Sequence, residues 1–233
     1  SNGVTYYYRV AAYDGATVAN VSYFTDSVVG LPNVQPFVDD GSKLLTTSDA
    51  IRTGAYKRGQ VYVKYTSGLE LWCNLSFDHD WQVACDRKTY LLPPTGHLAF
   101  KKGDILQFSA VVDGQRMDYV ESPDLFYLDT RDRFAAVGPL ACRGAAALKP
   151  TGTKGEWWAI PCEKCDDLSI RPTHLGLKAD TALAAEALDV DNKSLGPAEV
   201  RVSNLGHTIM PVQGAARYRV TLAGTTVASA LDE

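Results

Sequence analysis

Hydrophobic and polar residues alternate most regularly between residues 60 and 127, where short runs of β-branched and aromatic side chains are separated by turn-forming residues. Val61, Val63 and Tyr65 are two positions apart and precede a turn at Ser67-Gly68. A period of two is typical of a strand with one buried face. The stretch at 60–127 therefore predicts a series of antiparallel hairpins.

Turn residues divide this stretch into strands. Pro93-Pro94-Thr95-Gly96 ends one of them, because two prolines cannot donate to a central β ladder. Asp113-Gly114 lies between runs at 105–112 and 115–120 and is the strongest short hairpin signal in the chain.

The first 59 residues are less regular. Residues 6–13 fit either a strand or the end of a helix, residues 18–25 predict a strand, and residues 30–41, with two prolines, predict a loop. Residues 48–54 predict a short capped helical turn that ends at a glycine.

Two further hairpins are predicted in the last hundred residues. One joins 144–148 to 157–161 across a turn rich in Gly, Thr and Lys. The other joins 182–190 to 198–202 through a loop at 191–196. Alanine-rich sequence favours a helix by propensity, but the loop and the alternating partner favour a strand, which we predict.

These patterns predict an all-β fold of antiparallel β-sandwich modules with little helix. A chain of 233 residues with 45% hydrophobic residues is long enough for two modules, each with its own core. We place an N-terminal β module at 1–135, with the hairpin-rich core at 60–127, and a C-terminal β-sandwich module at 136–233.

Charge and hydropathy argue against several partner classes. The net charge is -4, and the Lys and Arg residues are scattered, so nucleic acid is not an expected partner. No apolar run approaches the roughly 18 to 20 residues that span a bilayer, so no membrane segment is expected. No cofactor is predicted.

The register of one predicted hairpin suggests a disulfide. If residues 71–77 pair with 81–86 around Asp78-His79-Asp80, Cys73 lies opposite Cys85. Opposed residues in an antiparallel pair can come within disulfide reach. This bridge would favour an extracellular, cell-surface or periplasmic location.

The other three of the five cysteines leave alternatives open. Cys162 and Cys165 form a CxxC without the second cysteine pair or the histidines of a zinc site, so no metal is predicted and a local disulfide or two free thiols is favoured. Cys142 is expected across a hairpin from Cys162. The pairing of these three cysteines stays open.

Residues 62–129 resemble the β-rich region that follows the catalytic barrel of large secreted bacterial glycoside hydrolases. In that pattern a Y-x-x-G-L-x-x-x-x-N hairpin, here residues 65–74, precedes L-P-P-x-G at 92–96 and G-x-R-x-D-Y-V-x-S-P at 114–123. The resemblance covers about a third of the chain, and Cys73 and Cys85 lie outside its pattern.

The resemblance implies a non-catalytic accessory or scaffold region of a secreted carbohydrate-active protein. The catalytic carboxylates of such enzymes lie at the ends of barrel strands, and this chain has no eightfold βα alternation. Polysaccharide or an adjacent catalytic barrel is then the expected partner. The alternative is a structural surface or filament subunit that self-assembles through β edges.

No residue is assigned a catalytic role. Asp118, Glu121 and Asp124 are interpreted as solvated carboxylates at a strand end, with a self-contained hydrolase as a third possibility. Asp78-His79-Asp80 is interpreted as loop chemistry rather than a metal site. The sequon residues Asn20, Asn74 and Asn192 are potential glycosylation sites.

Aromatic side chains are the candidate glycan contacts, because flat rings stack on sugar faces. The candidates are Trp72, Trp81, Trp157 and Trp158. Trp72 and Trp81 would flank the predicted hairpin turn at 78–80. Trp157 and Trp158 would point to opposite faces of one strand, which places one in the core and leaves the other for solvent or a partner.

Overall fold

The computed structural model describes residues 45–223. The predictions for residues 6–13, 18–25 and 30–41 lie outside this range. Within it the chain is mostly antiparallel β-strand, arranged in two sheets with little helix, which confirms the all-β prediction.

Within residues 45–223 the larger sheet, called here the long sheet, contains thirteen strands. In chain order they are β1 (Gln60–Lys64), β2 (Glu70–Asn74), β3 (Trp81–Cys85), β4 (Lys88–Leu92), β5 (His97–Lys101), β6 (Ile105–Val112), β7 (Gln115–Ser122), β8 (Leu125–Asp129), β11 (Ala145–Pro150), β12 (Glu156–Pro161), β14 (Leu183–Leu188), β15 (Ser194–Ala198) and β18 (Arg217–Leu222). Their order is β1-β2-β5-β6-β7-β8-β11-β12-β18-β14-β15, and the β3–β4 hairpin joins the sheet at β6.

The smaller sheet, called the short sheet, has five strands in the described part of the chain, in the order β16-β17-β13-β10-β9. They are β9 (Ala135–Val137), β10 (Leu140–Arg143), β13 (Asp166–Ile170), β16 (Val200–Ser203) and β17 (Gly206–Ile209). The helices among the described residues are α1 (Thr47–Thr53) and two 3₁₀ turns, Ala55–Arg58 and Pro172–Leu175. None of the helices in residues 45–223 is long and apolar enough to cross a membrane.

Local signals predicted several elements correctly. Asp113 and Gly114 both have positive φ, 51° and 76°, and join β6 to β7 through the two-residue turn that this dipeptide favours. The predicted helical turn at 48–54 is α1, whose first turn is capped by the Thr46 hydroxyl and which ends at Gly54 in the left-handed conformation.

The predicted pairing of 71–77 with 81–86 is wrong. Strand β2 pairs with β1 and β5, whereas β3 pairs with β4. Cys73 therefore lies opposite Val61 and His97, and Cys85 lies opposite Lys88. The register argument for a Cys73–Cys85 disulfide loses its basis, and both cysteines are free.

Two C-terminal hairpins are confirmed only in part. Strands β11 and β12 pair as predicted, but the backbone N–H of Cys162 donates to Ala145, so Cys142 is not opposite Cys162. The strand predicted over 182–190 is β14. Its partner is β15 rather than residues 198–202, because β16 crosses to the short sheet and pairs with β17.

The core lies between the inner face of the long sheet and the short sheet. Tyr119, Leu128 and Leu148 are almost completely buried on the long sheet, and Leu140 and Ile170 lie opposite each other on β10 and β13. Burial of one such aliphatic side chain stabilises the fold by about 1.5 to 3 kcal/mol. The shared cluster holds the two sheets together.

The β3–β4 hairpin covers another part of the same core. The Tyr90 ring lies 5.2 Å from the Phe108 ring, which lies 5.5 Å from the Tyr119 ring. Gly138, in the β9–β10 turn, contacts the end of this series, since a Cβ added there would lie 1.9 Å from the Tyr119 hydroxyl. The aromatic series thus connects the hairpin, the long sheet and the short sheet.

The division into modules at 135/136 stays a prediction. Strand β8, before this point, pairs with β11, after it, through four registered positions from Ala145↔Asp129 to Leu148↔Phe126. The hydrogen-bonded long sheet therefore continues across the predicted boundary.

Asn74 is a fully buried polar residue at the end of β2. Its side-chain amide donates to the carbonyls of His79 and Leu92, both at 2.8 Å, and its side-chain oxygen accepts from the Ser76 N–H at 3.2 Å. These bonds hold the 75–80 loop against the end of β4. Because the amide nitrogen is buried and doubly hydrogen-bonded, the folded chain does not present Asn74 for glycosylation.

Substitution of Asn74 by Ala tests this network. We expect Asn74→Ala to lower the free energy of unfolding by about 2 to 4 kcal/mol, because buried carbonyls lose their donors. Asn204→Ala, in an exposed turn, serves as the matched control and is expected to change stability by less than about 0.5 kcal/mol. Chemical denaturation of both variants measures the difference, and equal stability would contradict the assigned role.

His207 predicts a dependence of stability on pH. It is buried in β17, its Nδ1 has no hydrogen-bond partner among the described residues, and burial lowers the pKa of its imidazole. As pH falls below about 6.5, the unfolded chain therefore binds the proton before the folded chain does, and stability decreases. We expect the loss between pH 7 and pH 5 to be smaller in His207→Leu, as measured by urea denaturation; an unchanged pH slope would contradict this.

Candidate functional site

Trp157 and Trp158 point to opposite faces of β12, as predicted. Trp157 is opposite the buried Val220 and packs against the core, whereas Trp158 is opposite Arg219 on the outer face of the long sheet. Trp158 is half-buried. Trp157 is also half-buried, but Trp158 is the one of the two on the outer face.

Trp158 of β12 belongs to a row of opposed residues that continues across β18, β14 and β15. Arg219 on β18 lies opposite Trp158 on one side and Glu186 of β14 on the other, and Glu186 lies opposite Pro197 of β15. Directly opposed residues in antiparallel strands project to the same face. The row therefore combines an aromatic ring and charged groups on one surface.

The charged groups of the row are held by hydrogen bonds. Arg219 Nε donates to Glu186 Oε2 at 3.0 Å, and Arg219 Nη2 contacts the same oxygen. The Ser194 hydroxyl donates to Glu186 Oε1 at 2.6 Å. The hydrogen bond from Ser194 and, to a smaller extent, the one from Arg219 lower the pKa of the Glu186 carboxyl. The carboxyl therefore stays ionised at neutral pH.

A second arginine lies against the tryptophan. The Arg217 guanidinium carbon is 5.1 Å from the centroid of the Trp158 ring, within the range of a cation–π contact. This contact orients the ring. We refer to Trp158, Glu186, Ser194, Arg217 and Arg219 together as the Trp158 face.

An open groove of about 380 Å³ is lined in part by Arg219, the residue opposite Trp158. Cavities that bind small ligands have volumes of about 300 to 1,000 Å³. The groove is lined by Ala184, Ala185, Glu186, Ser194, Gly196, Pro197, Arg219 and Thr221. Together, the ring and the groove offer a flat apolar surface beside hydrogen-bonding groups.

The other two candidate tryptophans are in the core. Trp72 and Trp81 are 6% and 3% exposed, and Trp72 packs 4.9 Å from the Tyr62 ring. They do not form the surface platform expected from the hairpin, because β2 and β3 belong to different strand pairs and both rings face inward.

The candidate carboxylates are not brought together. Asp118 forms an ion pair with Arg131 at 2.9 Å, while Glu121 accepts a hydrogen bond from the Tyr119 hydroxyl at 2.8 Å. Asp124 is exposed in the turn between β7 and β8. Asp118 and Glu121 occupy opposite faces of β7, since they are three positions apart on a strand.

The acidic motif Asp78-His79-Asp80 lies in the exposed 75–80 loop, where Asp78 Oδ1 is 2.5 Å from His79 Nδ1. Within residues 45–223 no group of three His, Cys, Asp or Glu side chains is placed to hold a metal ion. This loop also carries Phe77, which is 97% exposed.

Glu186, Ser194, Arg217 and Arg219 were missed as functional candidates. A signal for two of them existed in the sequence, because Arg217 and Arg219 alternate with the hydrophobic Tyr218 and Val220, which are buried in β18. Their meeting with Trp158 and Glu186 depends on strand order, which the sequence pattern does not contain.

Comparisons with protein-family models, with curated proteins and with solved structures found no match for this chain. What the Trp158 face could bind is therefore inferred from the arrangement of its side chains.

Proposed function

We propose that this chain is a non-catalytic β accessory region of a secreted carbohydrate-active protein, and that it contacts polysaccharide through the Trp158 face. The observation that carries the proposal is a tryptophan ring on the outer face of the sheet, beside hydrogen-bonded charged groups and an open groove. The resemblance of residues 62–129 to the β region of glycoside hydrolases supports the same role.

The chemistry of the face suits a sugar chain. A sugar ring presents a flat C–H surface, which stacks on an aromatic ring, and hydroxyl groups, which pair with charged and polar side chains. Trp158 supplies the first kind of contact. Glu186, Arg219 and Ser194 supply the second.

Charge favours an acidic polysaccharide. Among the described residues, neither Arg217 nor Lys149 forms an ion pair with a carboxylate, and Lys149 lies directly opposite Trp158 on β11. Both cations lie on the same face as the ring. A uronate carboxylate bound there would supply their missing partner.

Assembly through sheet edges is the weaker alternative. Among residues 45–223, the edge strands of the long sheet are β1, β15 and β3, which pairs only with β4. Strand β15 contains Gly196 and Pro197, and a proline has no N–H with which to bond an added strand. The β15 edge is therefore poorly suited to strand addition.

The binding proposal is tested by affinity electrophoresis of the chain in native gels that contain alginate or xylan. We expect retardation in the alginate gel, and we expect Trp158→Ala to weaken binding by about tenfold or more, since about 1.4 kcal/mol of lost stacking and burial corresponds to tenfold. Phe77→Ala, which removes a more exposed ring elsewhere, is the control and should bind like the parent chain.

Two outcomes would overturn the proposal. One is unretarded migration of the parent chain in both gels. The other is equal retardation of the parent chain and of a Trp158→Ala variant shown by circular dichroism to be folded. Retardation by xylan alone would support polysaccharide binding but would contradict the preference for an acidic polysaccharide.

A further inference from the structure

Three of the five cysteines lie together where β10 ends and the turn at 162–165 begins. Cys142 is fully buried, whereas Cys162 and Cys165 are partly exposed. Each of the Cys142 and Cys165 thiols shifts the pKa of the other, so the two side chains are neighbours. Cys142 Sγ is also 3.5 Å from the carbonyl oxygen of Gly144.

The backbone brings the segment that contains Cys165 next to the end of β10. Strands β10 and β13 pair at Ala141↔Ser169 and Arg143↔Asp166 with a shift in register between them, so Cys165 lies beside Gly144, just beyond the last registered pair. Gly144 has φ of +81°, and a Cβ added there would lie 2.0 Å from the Lys164 carbonyl oxygen. Only a glycine allows this close approach.

Cys162 has a different neighbour. Its thiol lies 3.7 Å from the carbonyl oxygen of Ile160 on its own strand, and its backbone N–H donates to Ala145 at 2.8 Å. Cys165 also lies near Cys162, since its backbone N–H donates to the Cys162 carbonyl at 3.3 Å. Cys142 nevertheless has the stronger effect on the Cys165 thiol, although Cys162 and Cys165 form the CxxC in sequence.

We propose that Cys142 and Cys165 form a reversible disulfide by exchange with a low-molecular-weight disulfide, with Cys165 as the attacking thiol and Cys142 as the resolving thiol. The site is separate from the Trp158 face and does not depend on the function proposed for it.

The two steps conserve atoms and electrons. The Cys165 thiolate attacks one sulfur of oxidised glutathione, the S–S bond of glutathione breaks, and one glutathione thiolate leaves and takes up the proton that Cys165 lost. Cys142 then attacks Cys165 Sγ and releases the second glutathione, which takes up the Cys142 proton. Two protein thiols are oxidised, and one glutathione disulfide is reduced to two thiols.

The order of attack follows from the environment of each sulfur. The neighbouring Cys142 thiol lowers the pKa of the Cys165 thiol, and the neighbouring Cys165 thiol, together with burial, raises the pKa of Cys142. The partly exposed Cys165 therefore has the greater thiolate character and the easier access to a solvent-borne disulfide.

Trypsin separates the three cysteines, which makes the pairing directly measurable. Cleavage after Arg133, Arg143, Lys154, Lys164 and Lys178 yields peptides 134–143, 155–164 and 165–178, each with one cysteine. The full chain is treated with oxidised glutathione, alkylated with iodoacetamide and digested without reduction. We expect mass spectrometry to find 134–143 linked to 165–178, and reduction to separate them.

Variants define the roles. The link should persist in Cys162→Ser and in the control Cys73→Ser, and Cys142→Ser should accumulate glutathione on 165–178. A dominant link between 155–164 and 165–178 in the parent chain would overturn the proposal, as would glutathione adducts that never resolve to a link. The disulfide mapping in the parent chain does not depend on whether any variant folds.

Thermal unfolding gives a second measurement. A disulfide that closes the loop between β10 and β13 restricts the unfolded chain, so the oxidised form should melt about 5 °C or more above the reduced form. The same treatment of Cys165→Ser should give no increase. If mass spectrometry confirms the link but the oxidised and reduced parent chains melt at the same temperature, the bridge strains the fold. That result would contradict the proposal that Cys142 and Cys165 are already close in the reduced chain.

Discussion

Burial of the inner face of the long sheet is the constraint on which the rest of the molecule depends. Tyr119, Leu128 and Leu148 on that face would be exposed to water if nothing covered them. The short sheet covers them with Leu140 and Ile170, and the β3–β4 hairpin adds its own aromatic contacts. Because hydrophobic burial is the main favourable term in folding, these packed layers determine which residues are left for the surface.

The outer face follows from this arrangement. Since alternate residues of a strand point to opposite faces, a strand that buries Trp157, Tyr218 or Ala185 must present Trp158, Arg219 or Glu186 on the other side. The same packing carries β10 to β13 and brings Cys142 to Cys165. Core packing thus positions both the proposed binding face and the proposed dithiol, which lie apart.

Local interactions are what the sequence could predict. Asp113-Gly114, the Gly54 cap and the opposite orientation of Trp157 and Trp158 depend on neighbouring residues and are confirmed. The β2–β3 pairing was wrong because β5, more than twenty residues after β2, pairs with it instead. The Trp158 face joins positions 158, 186 and 219, so it depends on strand order, which alternation does not encode.

The proposed contact between the Trp158 face and polysaccharide is tested most directly by NMR of the four indole N–H groups. Trp72, Trp81 and Trp157 pack in or against the core, so only the Trp158 signal is expected to respond directly to a bound sugar. Titration of the ¹⁵N-labelled chain with alginate oligosaccharides should shift one indole signal to saturation, and that signal should be absent from the spectrum of Trp158→Phe. Four unchanged indole signals at saturating oligosaccharide, or a response confined to the other three, would contradict the proposed function.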